Sequence, residues 1–216
     1  MIKAVIFDMD GLMFDTEMLW EDAFLNVGKK FGHYLSSDFH RMTIGTSYNS
    51  IEKVFKDKFG DDFPFSDFMS ACRLYMDGII KKRGLKKKKG LLELLDYLNK
   101  NNYLIAIGSS GSRKRIEWYL ECASIDKKIF KVIVSGDVIT NSKPDPEIFL
   151  KACKLLGTEP CETLVLEDSN NGLKAAISSG CKSGFVPDLD TLSEKVLNKV
   201  DYKFESLLDV IDLLKK

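Results

Sequence analysis

Five short, apolar, β-prone runs, at residues 2–7, 103–107, 132–134, 163–166 and 183–186, punctuate a chain of 216 residues. Helical patterns stand beside and between the later ones. Leu91, Leu92, Leu94, Leu95 and Leu98 form one apolar stripe, and Ile116, Tyr119 and Leu120 form another. Ile148, Phe149, Ala152, Leu155 and Leu156 make a third, and Leu173, Ala176 and Ile177 a fourth. Apolar residues three and four apart put one helix face against a core, and strands alternating with helices imply βαβ units around a mainly parallel sheet. Asp145-Pro146 reads as an N-cap followed by proline in the first turn, with Gly157 suited to the far end of that helix.

The stretch between the first and second runs is far too long for one crossover. Segments 19–31, 50–59 and 66–80 within it carry amphipathic helical spacing without strand alternation. The expected organisation is therefore an α/β core, residues 1–15 and 83–216, with an all-helical insert at 16–82 in the first βα connection. The four lysines at 86–89 read as a solvated linker, with steering of anionic ligands as the sharper alternative.

Bulk properties narrow the function classes. Lysine plus arginine equals aspartate plus glutamate, 32 against 32, so no net field favours nucleic acid or an acidic membrane surface. The five cysteines are widely spaced without a CxxC pair, an odd count that points to reduced thiols and a cytoplasmic protein. Only two histidines, His33 and His40, are present, which disfavours a histidine-rich zinc site. No run approaches the ~20 apolar residues of a membrane span.

The polar residues fall where an open parallel sheet binds ligands, beyond the carboxyl ends of its strands. The first run delivers Asp8 and Asp10, two residues apart and so starting from one side of the ribbon, followed by Gly11. Like charges that close resist ionisation unless a cation sits between them. The second run ends at Ser109-Ser110, the fourth at Glu167-Asp168, and the loop after the third holds Lys143-Pro144. Carboxylates for Mg2+, a cation and donors for phosphate oxygens, and a carboxylate able to attack phosphorus together suit phosphoryl transfer. Two assignments stay open on the residues alone. Glu167 either serves the metal or pairs with a basic neighbour, and Thr16 either caps the first insert helix or lies near substrate.

Four segments carry a family resemblance. Phe7-Asp8-Met9-Asp10-Gly11 resembles the DxDG motif of haloacid dehalogenase-like phosphotransferases, and Ile107-Gly108-Ser109-Ser110 their second motif. Residues 142–149 are similar to the third, lysine-bearing motif, and residues 166–176 to the fourth. Phe14-Asp15-Thr16-Glu17 and the helical insert resemble the branch with β-phosphoglucomutase and sugar-phosphate phosphatases. The resemblance implies a Rossmann-like core with a mobile helical cap inserted after the first strand. Asp8 would be the nucleophile, forming an aspartyl-phosphate, and Asp10 the acid and base. Mg2+ would be held by Asp8, the Asp10 carbonyl and Asp168, with Glu167 nearby. Ser109, Ser110 and Lys143 would bind the phosphoryl oxygens; Thr16, Trp20, Tyr48 and Asn49 would face substrate from the cap.

Within that family Asp10 argues against a dehalogenase, which lacks the second carboxylate. A phosphosugar mutase is the rival to a phosphatase. Its pattern has a histidine where Trp20 aligns and a basic residue near Ser47-Tyr48-Asn49, so both departures favour hydrolysis. A sugar-phosphate binder without catalysis would not need the Asp8/Asp10 pair. The expected partner is a small phosphorylated metabolite, with no nucleic acid and no membrane, and the enzyme is expected to be a monomer.

Overall fold

The computed structural model describes residues 1–44, 48–190 and 192–215. Strands β1 (Ala4–Phe7), β2 (Leu104–Ser109), β3 (Val132–Ser135), β4 (Thr163–Glu167), β5 (Lys182–Phe185) and β6 (Tyr202–Lys203) form one parallel sheet in the order β3-β2-β1-β4-β5-β6. All five β-prone runs are strands. The two-residue β6 adds an edge that no periodicity announces.

By contact the chain divides into two units, Met1–Asp15 with Lys86–Lys216, and Thr16–Leu85. The second unit holds helices α1 (Thr16–Lys30), α2 (Ser37–Arg41), α3 (Tyr48–Phe59) and α4 (Phe65–Arg83). Its core is aromatic: Phe24, Phe55 and Phe68 are buried, with ring centroids 5.0–5.6 Å apart. Ser36 caps α2 by accepting a hydrogen bond from the Phe39 N–H at 3.2 Å. Because α4 runs on to Arg83, the division falls after Leu85.

In the first unit α5 (Leu91–Lys100), α6 (Arg113–Cys122), α7 (Glu147–Leu156), α8 (Asn170–Ser178), α9 (Glu194–Leu197) and α10 (Leu207–Leu214) are the α-helices among the described residues. Every residue of β1 is buried, as the central strand of a sheet covered on both faces should be. Ala4 and Ile6 join Val165 from β4 and the inner faces of α7 and α8 in one apolar cluster. Period two then puts Asp8, the residue after β1, and Glu167, the last of β4, on this same face. The α7 start is shifted by one from expectation: Pro146 is the N-cap, while the Asp145 carboxylate accepts the Glu147 N–H at 2.9 Å. Gly157 closes that helix at φ +71°.

The lysine run keeps Lys86 and Lys89 exposed, but it is not a free linker. The Lys88 N–H donates to the Met13 carbonyl at 3.0 Å, and the Asp15 N–H to the Lys86 carbonyl at 3.0 Å. Lys87 forms an antiparallel bridge with Phe14, and its ammonium reaches the Ala123 carbonyl at 3.0 Å. Backbone pairing with residues 13–15, invisible to local composition, orders the run.

Candidate active site

The site is built where β1 and β4 run out together. Register pairs Ile6 with Val165 and Phe7 with Leu166, and the Asp8 N–H continues the ladder to the Leu166 carbonyl at 3.0 Å. Asp8 and Glu167 are thus next in line, side by side on the face of α7. On the other side of β1, Gly108 of β2 continues the register. The Phe149 ring of α7 packs over Gly108, where a Cβ would stand 3.1 Å from it. Lys143, in the loop leading to α7, lays its ammonium 5.0 Å from the centre of that ring.

From there Lys143 pairs with Asp8 Oδ1 and donates to Glu167 Oε1 at 2.7 Å. All three side chains are at least nine-tenths buried. Burial alone would lower the Lys143 pKa; Asp8 and Glu167 outweigh it and raise it, so the ammonium stays charged. For Asp8, burial is the largest influence and pushes the carboxyl up to about 7, aided by Glu167 and Asp10 and opposed by Lys143. One ammonium does not replace the lost water.

Glu167 is engaged through both of its oxygens. Its Oε2 accepts the Asp168 and Ser169 N–H groups and the Ser169 hydroxyl, each at 3.0 Å, while Oε1 takes Lys143. The first turn of α8 approaches so closely that a Cβ at Gly172 would overlap this carboxylate. Of the two readings left open, the geometry favours Glu167 as the anchor of Lys143.

Asp8, Glu167 and Asp168 have oxygens within 4.8 Å of one another, all buried. Three carboxylates against one ammonium leave a surplus of negative charge, which burial makes costly without a cation. Hard oxygen donors with waters are the ligands Mg2+ takes, so the donor set fits that ion. The Asp10 carboxylate is not one of the three; Asp10 is half-buried in the turn after β1, where it bridges to Phe14. Gly11 sits in that turn at φ +81°, and a side chain there would strike Asp168, 2.8 Å from its Cγ.

The other expected site residues are placed as follows. Ser109 is buried at the end of β2, and its hydroxyl accepts the Gly111 N–H at 3.1 Å. Ser110 is exposed beyond it, and Ser112 caps α6, accepting the Arg115 N–H at 3.3 Å. Thr16 does not cap α1: it is the first residue inside the helix, and its buried hydroxyl has no hydrogen-bond partner among the described residues. Trp20 packs edge-on to Phe24 at 6.0 Å, half-buried against the helical core. Tyr48 and Asn49 open α3 and are exposed, with the Tyr48 ring 5.0 Å from Phe65. Ser47 lies outside the described residues. Lys88 and Asp188, which sequence reasoning passed over, form a largely buried ion pair at 2.5 Å beside Gly11.

Comparison with known proteins decides the family, since the haloacid dehalogenase-like hydrolases match residues 5–186. The chain belongs to that family. It is 30% identical over 179 residues to the phosphorylated carbohydrates phosphatase of Thermotoga maritima, covering 83% of this chain and 82% of that one. Its fold is that of CbbY from Rhodobacter sphaeroides, solved in complex with phosphate, at 24% identity and a TM-score of 0.81 over 97% of this chain and 96% of the other. β-Phosphoglucomutase from Clostridium difficile is similar in fold to the same degree, with a TM-score of 0.80 at 24% identity over 100% and 96% of the two chains. As a haloacid dehalogenase-like hydrolase the chain is an enzyme, and no helix among its described residues is long and apolar enough to cross a membrane.

Proposed function

We propose that this hydrolase is a Mg2+-dependent phosphatase of small phosphomonoesters, sugar phosphates foremost, acting through an aspartyl-phosphate on Asp8. The observation that carries the reading is the buried group in which Lys143 bonds both Asp8 and Glu167, with Asp168 adjoining. The likeness to a phosphatase of phosphorylated carbohydrates supports the substrate class.

In this mechanism an Asp8 oxygen attacks phosphorus, forming the Asp8 O–P bond as the ester P–O bond breaks. Asp10 gives its proton to the departing alkoxide, then takes one from the water that cleaves the acyl phosphate, which returns Asp8 and frees phosphate. Such a proton transfer contributes typically ~10²–10⁴ in rate. Lys143 and Ser109 hold the phosphoryl oxygens as charge shifts onto them. Glu167 holds Lys143 in place through the transfer. Asp8, Asp168 and the Asp10 carbonyl would hold Mg2+, which when bound supplies positive charge to the phosphoryl group and keeps Asp8 ionised.

Trp20, seated against Phe24, stands where a mutase carries histidine, and this favours water over a second sugar as acceptor. The test is a phosphate-release screen over sugar phosphates, nucleotides and phosphoglycolate with Mg2+. The reading expects free phosphate from sugar phosphates. Hexose 6-phosphate forming from β-glucose 1-phosphate faster than free phosphate would select the mutase instead.

A further inference from the structure

The segment after β5 brings a carboxylate to the same sheet edge. Asp188 has a side chain only 5% exposed, and its Oδ1 pairs with the Lys88 ammonium at 2.5 Å. Both partners are held. The Lys88 N–H bonds the Met13 carbonyl at 3.0 Å. Asp190 accepts the Asn170 N–H at 2.8 Å, tying the segment to the start of α8. The second oxygen, Asp188 Oδ2, is buried with no hydrogen-bond partner among the described residues.

Gly11 shows where that oxygen points. A Cβ on Gly11 would stand 2.9 Å from Asp188 Oδ2 and would collide with Asp168 Oδ2 as well. Two carboxylate oxygens therefore converge on one spot. Ionised carboxylates only accept hydrogen bonds, so neither can satisfy the other. A buried oxygen in this position needs a donor. Lys88 already balances the Asp188 charge, so a neutral donor suffices.

We propose that Asp188, braced by Lys88, is a positioning residue of the cation site, its Oδ2 accepting a hydrogen bond from a water bound to the cation at Asp8 and Asp168. The inference rests on the metal reading of those two residues. Outer carboxylates of this kind orient what the ion binds, and removing one costs roughly 10- to 100-fold in metal affinity.

The experiment is Mn2+ binding to the full chain, read from the free-ion EPR signal, so that no turnover is needed. Asp188→Asn keeps the shape and removes the charge. The paired change Lys88→Met with Asp188→Leu removes both charges together, so no unbalanced ion is left to unfold the protein. Asp168→Ala reports on the metal reading itself. The proposal expects Asp168→Ala to weaken binding strongly, and Asp188→Asn and the pair to weaken it roughly 10- to 100-fold with melting temperatures near wild type. Loss in Asp168→Ala with less than about a threefold change in both Asp188 variants would overturn the Asp188 role alone. An unchanged dissociation constant in Asp168→Ala would overturn the metal reading, and this inference with it.

Discussion

The Lys143 ammonium donates to Glu167 Oε1 at 2.7 Å while pairing with Asp8, so one lysine ties the ends of β1 and β4 together. Removing it strands two buried carboxylates. Losing one member of a buried pair costs about 3–5 kcal/mol. Lys143→Met should therefore lower unfolding free energy in urea by that order and abolish phosphate release. A variant as stable as wild type would mean that water or another cation already screens Asp8 and Glu167.

Glu167 and Asp168 are neighbours with different duties. Glu167 spends its oxygens on Lys143, two N–H groups and the Ser169 hydroxyl. Glu167→Gln should cut the rate at saturating Mg2+ yet leave the half-saturating Mg2+ concentration near wild type. Asp168→Asn should raise that concentration by about tenfold or more. Mg2+ titrations of phosphate release in both variants check this, and matching midpoint shifts would contradict the division of labour.

Gly172→Ala sets two effects against each other. Alanine is the better helix former by ~1 kcal/mol, and Gly172 lies in the first turn of α8. Its Cβ, however, would overlap the Glu167 carboxylate, and overpacking costs about 1–3 kcal/mol. The clash should win, giving a lower melting temperature and weaker activity. A stabilised variant would show that Glu167 can move freely.

Asp201 offers a pH test away from the site. Burial pushes its carboxyl up, but the Ser183 N–H and hydroxyl, each at 2.9 Å, and Lys182 at 3.1 Å outweigh it and hold the pKa below the usual range. A depressed folded pKa adds stability above the unfolded value, about 3.9, and that stability is lost as pH falls through the folded one. Asp201→Asn should thus be less stable than wild type at neutral pH, the gap narrowing on acidification. Melting curves across acid pH measure it, and a gap that widens in acid would contradict it.

What the sequence could and could not reveal follows from how local each signal is. The five longer strands carry their own apolar β-prone runs, and helices such as α5 and α7 their own stripes, so the parallel α/β core was legible. Short α2 and two-residue β6 have too few residues to show a period. The lysines at 86–89 looked solvated because their partners, residues 13–15, Ala123 and Asp188, are distant in sequence. Asp8, Lys143 and Asp168 could be picked out because chemistry at strand ends has few other uses. The alliance of Glu167 with Lys143 needed the β1–β4 register and the approach of α8 at Gly172. Asp188, in a Pro-Asp-Leu-Asp stretch that reads as a turn, had no local signal at all.

The central claim is that Asp8 takes the phosphoryl group. Wild type and Asp8→Asn should be mixed with excess sugar phosphate and Mg2+, quenched in acid during turnover, and analysed for free phosphate and for the mass of the intact chain. Quenched while substrate is still turning over, wild type should have released phosphate, and a fraction of its chains should carry a phosphoryl group on the peptide that holds Asp8. Asp8→Asn, folded as wild type by thermal melting, should do neither. An Asp8→Asn enzyme retaining more than about a tenth of the wild-type rate, or a phosphoryl group found on another residue, would contradict it.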